Sequence, residues 1–138
     1  MKCKTKEITI ILRSDNIVET TINEGITELT IEGVKDVIAA TNKVHNSTDT
    51  VKATLICAPP FYVKKNVLKG YAANREVDIV AAAILTSSFS SQIIGNLLLT
   101  LRGRIMSLSN AEMEPSKVFR DKDKAVAWLL GYIEKAEN

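Results

Sequence analysis

The stretch from Val77 to Arg102 constrains the fold of this chain more than any other part of the sequence. Its first part, Val77 to Leu85, is apolar at every position but Asp78. A strand without a polar face is covered on both sides, as in the centre of a parallel sheet. Its second part, Phe89 to Arg102, repeats apolar residues with the period of an α-helix. The predicted inner face of this helix comprises Phe89, Ile93, Ile94, Leu97, Leu98 and Leu101, and the outer face comprises Ser91, Gln92, Asn96 and Arg102. The stretch therefore predicts a central strand joined to an amphipathic helix by the turn TSSFSS.

The residues before this stretch predict a β-hairpin followed by helices and a further strand. The strands Glu7 to Arg13 and Ile17 to Ile22 are separated by a short cluster of turn residues. A helix from Ile31 to His45 follows, with Thr30 as its N-cap. The next predicted elements are a strand from Val51 to Ala58 and, after Pro59 and Pro60, a helix from about Phe61 to Tyr71.

After Arg102 the sequence predicts an irregular segment, a short strand and a last helix. Gly103 to Ser116 has no clear period, and loops of that length are usually functional or disordered. Lys117 to Phe119 is the predicted strand, and Asp121 or Asp123 caps a helix that ends near Glu134. The order β-β-α-β-α-β-α-β-α predicts an α/β fold with a mixed, mainly parallel sheet of about five strands and about four helices.

Composition limits the classes to which the protein can belong. A chain of 138 residues, 46% of them hydrophobic, predicts one ordered domain from residue 1 to 138. The formal charge of +2, from 18 basic and 16 acidic residues, gives no reason to expect nucleic-acid binding. The longest apolar runs reach about half of the ~20 residues that a membrane span needs, and the N-terminus lacks the pattern of a signal peptide. We therefore expect a cytoplasmic protein without a membrane span.

Hydroxyl side chains cluster at the predicted turn after the central strand, namely Thr86, Ser87, Ser88, Ser90 and Ser91. Open α/β sheets bind ligands at the carboxyl ends of their strands, and free N–H groups at a helix start attract anions. The cluster is therefore a candidate binding site for an anion, a nucleotide or a lipid. The alternative is structural, because serine is a favoured N-cap and Ser88 stands at the start of the helix.

Basic residues cluster on the helix predicted after Pro60, and two aromatic residues precede them. Aromatic side chains are enriched at binding hot spots. The residues Phe61, Tyr62, Lys64 and Lys65 are therefore candidate contacts for a protein partner, and Lys69 and Arg75 extend the basic cluster. The alternative is a solvated helix face, because charged residues usually lie on the outside.

No combination of residues predicts catalysis, a metal site or a cofactor. The sequence contains neither a GxSxG motif nor a Gly-rich phosphate loop. The one histidine, His45, is expected to pack in the last turn of its helix or to cap it. Cys3 and Cys57 do not form the ligand set of a metal site. Asp78 is a candidate buried carboxylate, although an edge position or a salt bridge explains it as well.

Several segments resemble those of a known family. They are the hairpin with TELTIEGVKDVI at 27–38, AAAIL at 81–85, IIGNLLL at 93–99, KVF at 117–119 and AVAWL at 125–129. With the element order, they resemble STAS domains, which have the anti-sigma-factor-antagonist fold, and more narrowly the small bacterial SpoIIAA-like proteins of uncharacterised function. The resemblance covers nearly the whole chain. It implies a regulatory protein-interaction module that is not an enzyme.

The sequence departs from that family at one functional position. In signalling STAS domains a Ser or Thr in the loop after the third strand is phosphorylated by a partner kinase. Here that loop reads Pro59, Pro60, Phe61, Tyr62. The leading hypothesis is therefore an interaction module that lacks this acceptor, and the alternative is a small-ligand binding protein. A homodimer formed through an edge strand or an apolar helix face is also open.

Overall fold

The computed structural model describes residues 1–74 and 78–138. These residues form six strands and four helices. The strands are β1 (Lys2–Lys4), β2 (Ile8–Leu12), β3 (Ile17–Ile22), β4 (Ala53–Cys57), β5 (Ala82–Leu85) and β6 (Ser116–Phe119). The helices are α1 (Ile31–His45), α2 (Lys65–Ala72), α3 (Phe89–Leu108) and α4 (Lys122–Glu137).

The order of the strands in the sheet is their order in the chain, from β1 to β6. The pairs β1–β2 and β2–β3 are antiparallel, and the pairs from β3 to β6 are parallel. The predicted α/β fold with a mixed, mainly parallel sheet is confirmed. The sheet has one strand more than expected, because β1 pairs with β2 through Lys2 opposite Ile11 and Lys4 opposite Thr9. Its sequence, KCK, gives no apolar pattern, although Cys3 packs against the core.

Helices cover both faces of the sheet. On one face α1, α2 and α3 enclose a core cluster that includes Ile10, Val18 and Val67. On the other face α4 packs Leu129 and Ile133 in a cluster with residues of β4 and β5. Both faces of the central strand β5 are therefore covered, which explains why its sequence, AAIL, lacks a polar face.

β5 is the central strand that the sequence predicts, but it is shorter. It lies between β4 and β6 and is parallel to both. It spans Ala82–Leu85, whereas the prediction began at Val77, which lies outside the described residues. Asp78 is exposed and precedes the strand. The neighbouring strands explain why β5 begins at Ala82. β4 begins at Ala53 and β6 begins at Ser116, so the residues before Ala82 do not have a strand on each side.

α3 is longer than predicted. It continues through Gly103 to Leu108, so the expected irregular segment begins only after its end. Glycine in a helix is tolerated at a cost of about 1 kcal/mol relative to alanine. Met106 supplies compensating packing, because its side chain is fully buried.

The inner face of α3 also differs from the prediction. Its buried residues are Ser91, Ile94, Gly95 and Met106. Phe89 is 79% exposed, and Ile93 and Leu97 are each 47% exposed. The helix is thus rotated about its axis relative to the predicted face.

α2 begins at Lys65, four residues after the predicted start at Phe61. The backbone at Lys64 is extended, with φ −60° and ψ 145°. Val63 is buried in the core and Phe61 packs against it, so apolar contacts hold this segment in a non-helical path. The predicted start and N-cap of α1 at Thr30 are confirmed, since Thr30 Oγ1 accepts a hydrogen bond of 3.1 Å from Gly33 N.

Candidate functional site

A cavity of about 170 Å³ lies between the sheet and the layer of α1, α2 and α3. Most of its lining side chains are apolar. The sheet contributes Thr20, Ile22, Thr54, Ile56, Ala82 and Ile84, and the helices contribute Val37, Thr41, Leu68, Tyr71, Ile94, Leu98 and Leu99. No pattern in the sequence indicates this cavity, because it arises from the spacing between the sheet and the helices.

Gly95 sets the distance between α3 and the sheet. A Cβ atom at this position would lie 3.0 Å from Ile84 Cγ2 and 3.1 Å from Thr86 Cγ2. The helix therefore approaches the end of β5 closely because residue 95 has no side chain. Between Gly95 and Arg102 the helix lines the cavity, whose floor at Ala82 is small.

An ion pair between α3 and the segment before β6 forms part of the cavity wall. Arg102 Nε donates to Glu114 Oε1 at 2.8 Å, and Arg102 Nη2 donates to Glu114 Oε2 at 3.1 Å. Arg102 Nη1 donates to the carbonyl oxygens of Ala72 at 2.9 Å and Asn74 at 2.7 Å. The hydrogen bonds of the Arg102 guanidinium thus connect α3 with the end of α2 and with the loop after α3. The prediction that Arg102 lies on the outer face of its helix is wrong.

Besides this ion pair, Asn74 and Cys57, the polar side chains of the cavity wall are hydroxyl groups. Thr41 Oγ1 donates to Val37 O at 2.7 Å, and Ser116 Oγ donates to Glu114 O at 3.0 Å. The Tyr71 hydroxyl is buried without a hydrogen-bond partner in the described part of the chain. Burial, together with the nearby carboxylates of Glu7 and Asp36, raises the pKa of Tyr71, so this side chain is neutral.

The hydroxyl cluster Thr86, Ser87, Ser88, Ser90 and Ser91 forms the start of α3, outside the cavity lining. Ser88 Oγ accepts a hydrogen bond of 3.1 Å from Ser91 N, and Ser91 Oγ accepts one of 2.9 Å from Ser88 N. Thr86 Oγ1 donates to Phe119 O at 3.3 Å. The structural alternative is therefore present as a reciprocal cap. Ser87 and Ser90 are exposed, and ligand binding at this turn stays a prediction.

The four candidate partner contacts lie in the loop after β4 and at the start of α2. Tyr62 is 77% exposed, whereas Phe61 is partly buried against the core. Lys64 and Lys65 are exposed. Lys64 Nζ lies 3.6 Å from Glu28 Oε1 in a pair that is open to solvent. Three of the four residues are therefore available on the surface.

His45 is buried at the end of α1, as expected for a packing role. Neither ring nitrogen has a hydrogen-bond partner among the described residues. Burial, and secondarily the positive charge of Lys52, lower the pKa of His45 to about 4. The Lys52 ammonium is itself buried and donates to the carbonyl oxygens of Thr48 at 2.8 Å and Thr50 at 2.9 Å.

Among the described residues, 1–74 and 78–138, no three His, Cys, Asp or Glu side chains are grouped so that they could hold a metal ion. None of the helices in these residues has the length and apolar content needed to cross a membrane.

Comparisons with models of protein families, with curated proteins and with solved structures gave no match. The resemblance to STAS domains therefore stays a prediction.

Proposed function

We propose that this protein binds a small apolar molecule in the cavity beneath α1, α2 and α3. The observation that carries the proposal is the cavity of about 170 Å³ itself. Protein interiors are close-packed, and voids larger than a water molecule are few. An apolar ligand that fills this space would remove its own apolar surface and that of the lining side chains from water, which is favourable.

The size and lining of the cavity support an apolar ligand of one ring. An engineered apolar cavity of roughly 150 Å³ in another protein binds benzene. Ligand sites in general are lined mostly by apolar side chains with a few polar groups, and this cavity has that character. In this proposal the protein is a binding module and not an enzyme.

The test uses benzene and indole as probes of wild-type protein in a thermal-unfolding experiment. A probe at 100 times its dissociation constant stabilises the protein by ~2.7 kcal/mol. The matched variant is Ala82→Leu, because Ala82 is buried in the cavity floor and a larger side chain fills the space. We expect this variant to lose the stabilisation by both probes. The proposal is wrong if neither probe stabilises the wild-type protein.

A second candidate function is the binding of an acidic protein partner by the loop after β4. The observation that favours it is the exposure of Tyr62 beside the exposed Lys64 and Lys65. Exposed ion pairs contribute little to stability, so the pair of Lys64 with Glu28 does not account for these charges. The STAS-like resemblance points to the same class of function.

The test of this second candidate is a co-purification of partners with wild-type protein and with a Tyr62→Ala, Lys65→Glu variant. The control is Lys135→Glu, an exposed lysine in the last turn of α4. We expect a partner that the control retains and the double variant loses. Equal retention by all three proteins would exclude this surface as the contact.

A further inference from the structure

We infer that the ligand of the cavity is a neutral molecule with one ring and one hydrogen-bonding group, which lies over the hydroxyls of Thr20 and Thr54. The inference rests on the proposed function of the cavity and adds the chemical class of its ligand. It follows from the charges that line the cavity and from the hydroxyls that have no partner there.

The charged groups of the cavity wall are already paired. Among the described lining residues, Arg102 and Glu114 alone carry a charge. Arg102 makes four hydrogen bonds, two of them to the Glu114 carboxylate. An anionic ligand would find no unpaired cation and would be repelled by Glu114. A buried charge without a counter-charge is strongly unfavourable, so the cavity selects a neutral molecule.

Thr20 and Thr54 provide the polar contact. Thr20 of β3 pairs with Ile56, and Thr54 of β4 pairs with Val18. Since side chains alternate between the faces of a sheet, the two threonines are diagonal neighbours on the face that lines the cavity.

The hydroxyls of Thr20 and Thr54 are available to a ligand. Neither one makes a hydrogen bond within the described residues, whereas the hydroxyl of Thr41 is bonded to Val37 O. Thr54 is buried and Thr20 is half-buried, and both line the cavity, where a ligand oxygen or N–H group could bond to their hydroxyls. Because a hydroxyl both donates and accepts, the contact suits an alcohol, a phenol or a carbonyl group.

Benzene, phenol and benzoate form a matched set of probes, since they share a ring and differ in polarity and charge. Binding to wild-type protein is measured by NMR titration near pH 7, where phenol is neutral. We expect phenol to bind about 3- to 10-fold more tightly than benzene, which corresponds to one hydrogen bond. Benzoate is expected to bind more weakly than both.

The hydroxyl contact is tested with Thr20→Val and Thr54→Val, singly and together. Valine has the shape of threonine and suits a strand. We expect the double variant to bind phenol no more tightly than benzene, with benzene binding unchanged. The control, Thr41→Val, removes a hydroxyl that is already bonded within α1 and should keep the preference for phenol.

The outcomes separate this inference from the proposed function. If neither benzene nor phenol binds, the proposed function fails and the inference fails with it. If benzene binds but wild-type protein shows no preference for phenol, or binds benzoate as tightly, the inference alone is wrong. It is also wrong if the double valine variant keeps the preference.

Discussion

Gly33 leaves the space that the buried carboxylate of Glu7 occupies at the N-terminus of α1. The two Glu7 oxygens accept hydrogen bonds from Thr30 N at 3.2 and 3.3 Å, and Oε2 accepts one of 2.6 Å from Thr30 Oγ1. A Cβ atom on residue 33 would overlap this carboxylate. A negative charge near a helix N-terminus is favourable, so β2 and α1 are joined by one side chain.

Gly33→Ala is therefore expected to destabilise the protein by about 1–3 kcal/mol, the usual cost of overpacking. Gly131→Ala in α4 is the matched control, because a Cβ there meets nothing within 4 Å. That change should stabilise the protein by about 0.5–1 kcal/mol, since alanine favours the helix. Urea denaturation measures both values. Equal effects of the two substitutions would contradict the close contact of Glu7 with Gly33.

The low pKa of His45 predicts a loss of stability in acid. The pKa is about 4 in the folded protein, against 6.5 as the ordinary value. Between these values the unfolded chain binds a proton that the folded chain does not, so stability falls as the pH drops below 6.5. The loss attributable to this residue reaches about 3 kcal/mol below pH 4.

The measurement is the free energy of unfolding of wild-type and His45→Leu protein between pH 7 and 4. Carboxylates titrate in the same range in both proteins, so the difference between the two curves isolates the histidine. We expect wild-type protein to lose stability relative to the variant as the pH falls. Parallel curves would show that His45 titrates normally.

The pair of Arg102 with Glu114 predicts coupled effects of substitution. Arg102→Met leaves a partly buried carboxylate unpaired and should cost about 2–4 kcal/mol. The double variant with Glu114→Gln should cost less than the sum of the two single changes. We expect a coupling energy of about 1–3 kcal/mol from a double-mutant cycle in urea, and strict additivity would argue against the bidentate contact.

The length and rotation of α3 can be tested with two residues near its end. Met106 is 2% exposed and Leu108 is 89% exposed. Met106→Ala should cost about 2–5 kcal/mol, because it leaves a void in the core. Leu108→Ala should change stability by less than about 0.5 kcal/mol. If both substitutions have small effects in thermal unfolding, residues 103–108 do not continue the helix.

The serine turn yields a similar comparison. Ser88→Ala removes the N-cap of α3 and should cost about 1 kcal/mol. Ser90 is exposed and makes no hydrogen bond through its side chain among the described residues, so Ser90→Ala should cost less than about 0.5 kcal/mol. Chemical denaturation distinguishes the two. If Ser88→Ala and Ser90→Ala both leave the free energy of unfolding nearly unchanged, Ser88 does not stabilise α3 as its N-cap.

Local signals in the sequence were sufficient for much of the fold. The periodicity and cap of α1 gave its start at Ile31 and its end at His45, and the alternation of β3 gave both of its ends. β5 was identified as central because it has no polar face. Each of these features depends on residues close together in the chain.

The errors concern features that depend on contacts between distant residues. α3 is so rich in apolar residues that they recur with the helical period on two of its faces, and this pattern does not show which face is buried. Gly95 decides between them, because close approach to β5 requires the face without a side chain. The cavity could not be foreseen for a related reason: it is a space between layers, and no residue type marks its presence.

The order of the strands in the sheet has a consequence for biosynthesis. Each strand pairs with the one made just before it, so the sheet can grow from its first hairpin as the chain leaves the ribosome. Of the described elements, α4 is made after all the strands, and it covers Ala53, Leu55 and Ala83 on the second face. Until α4 docks, the nascent chain exposes this apolar face to solvent.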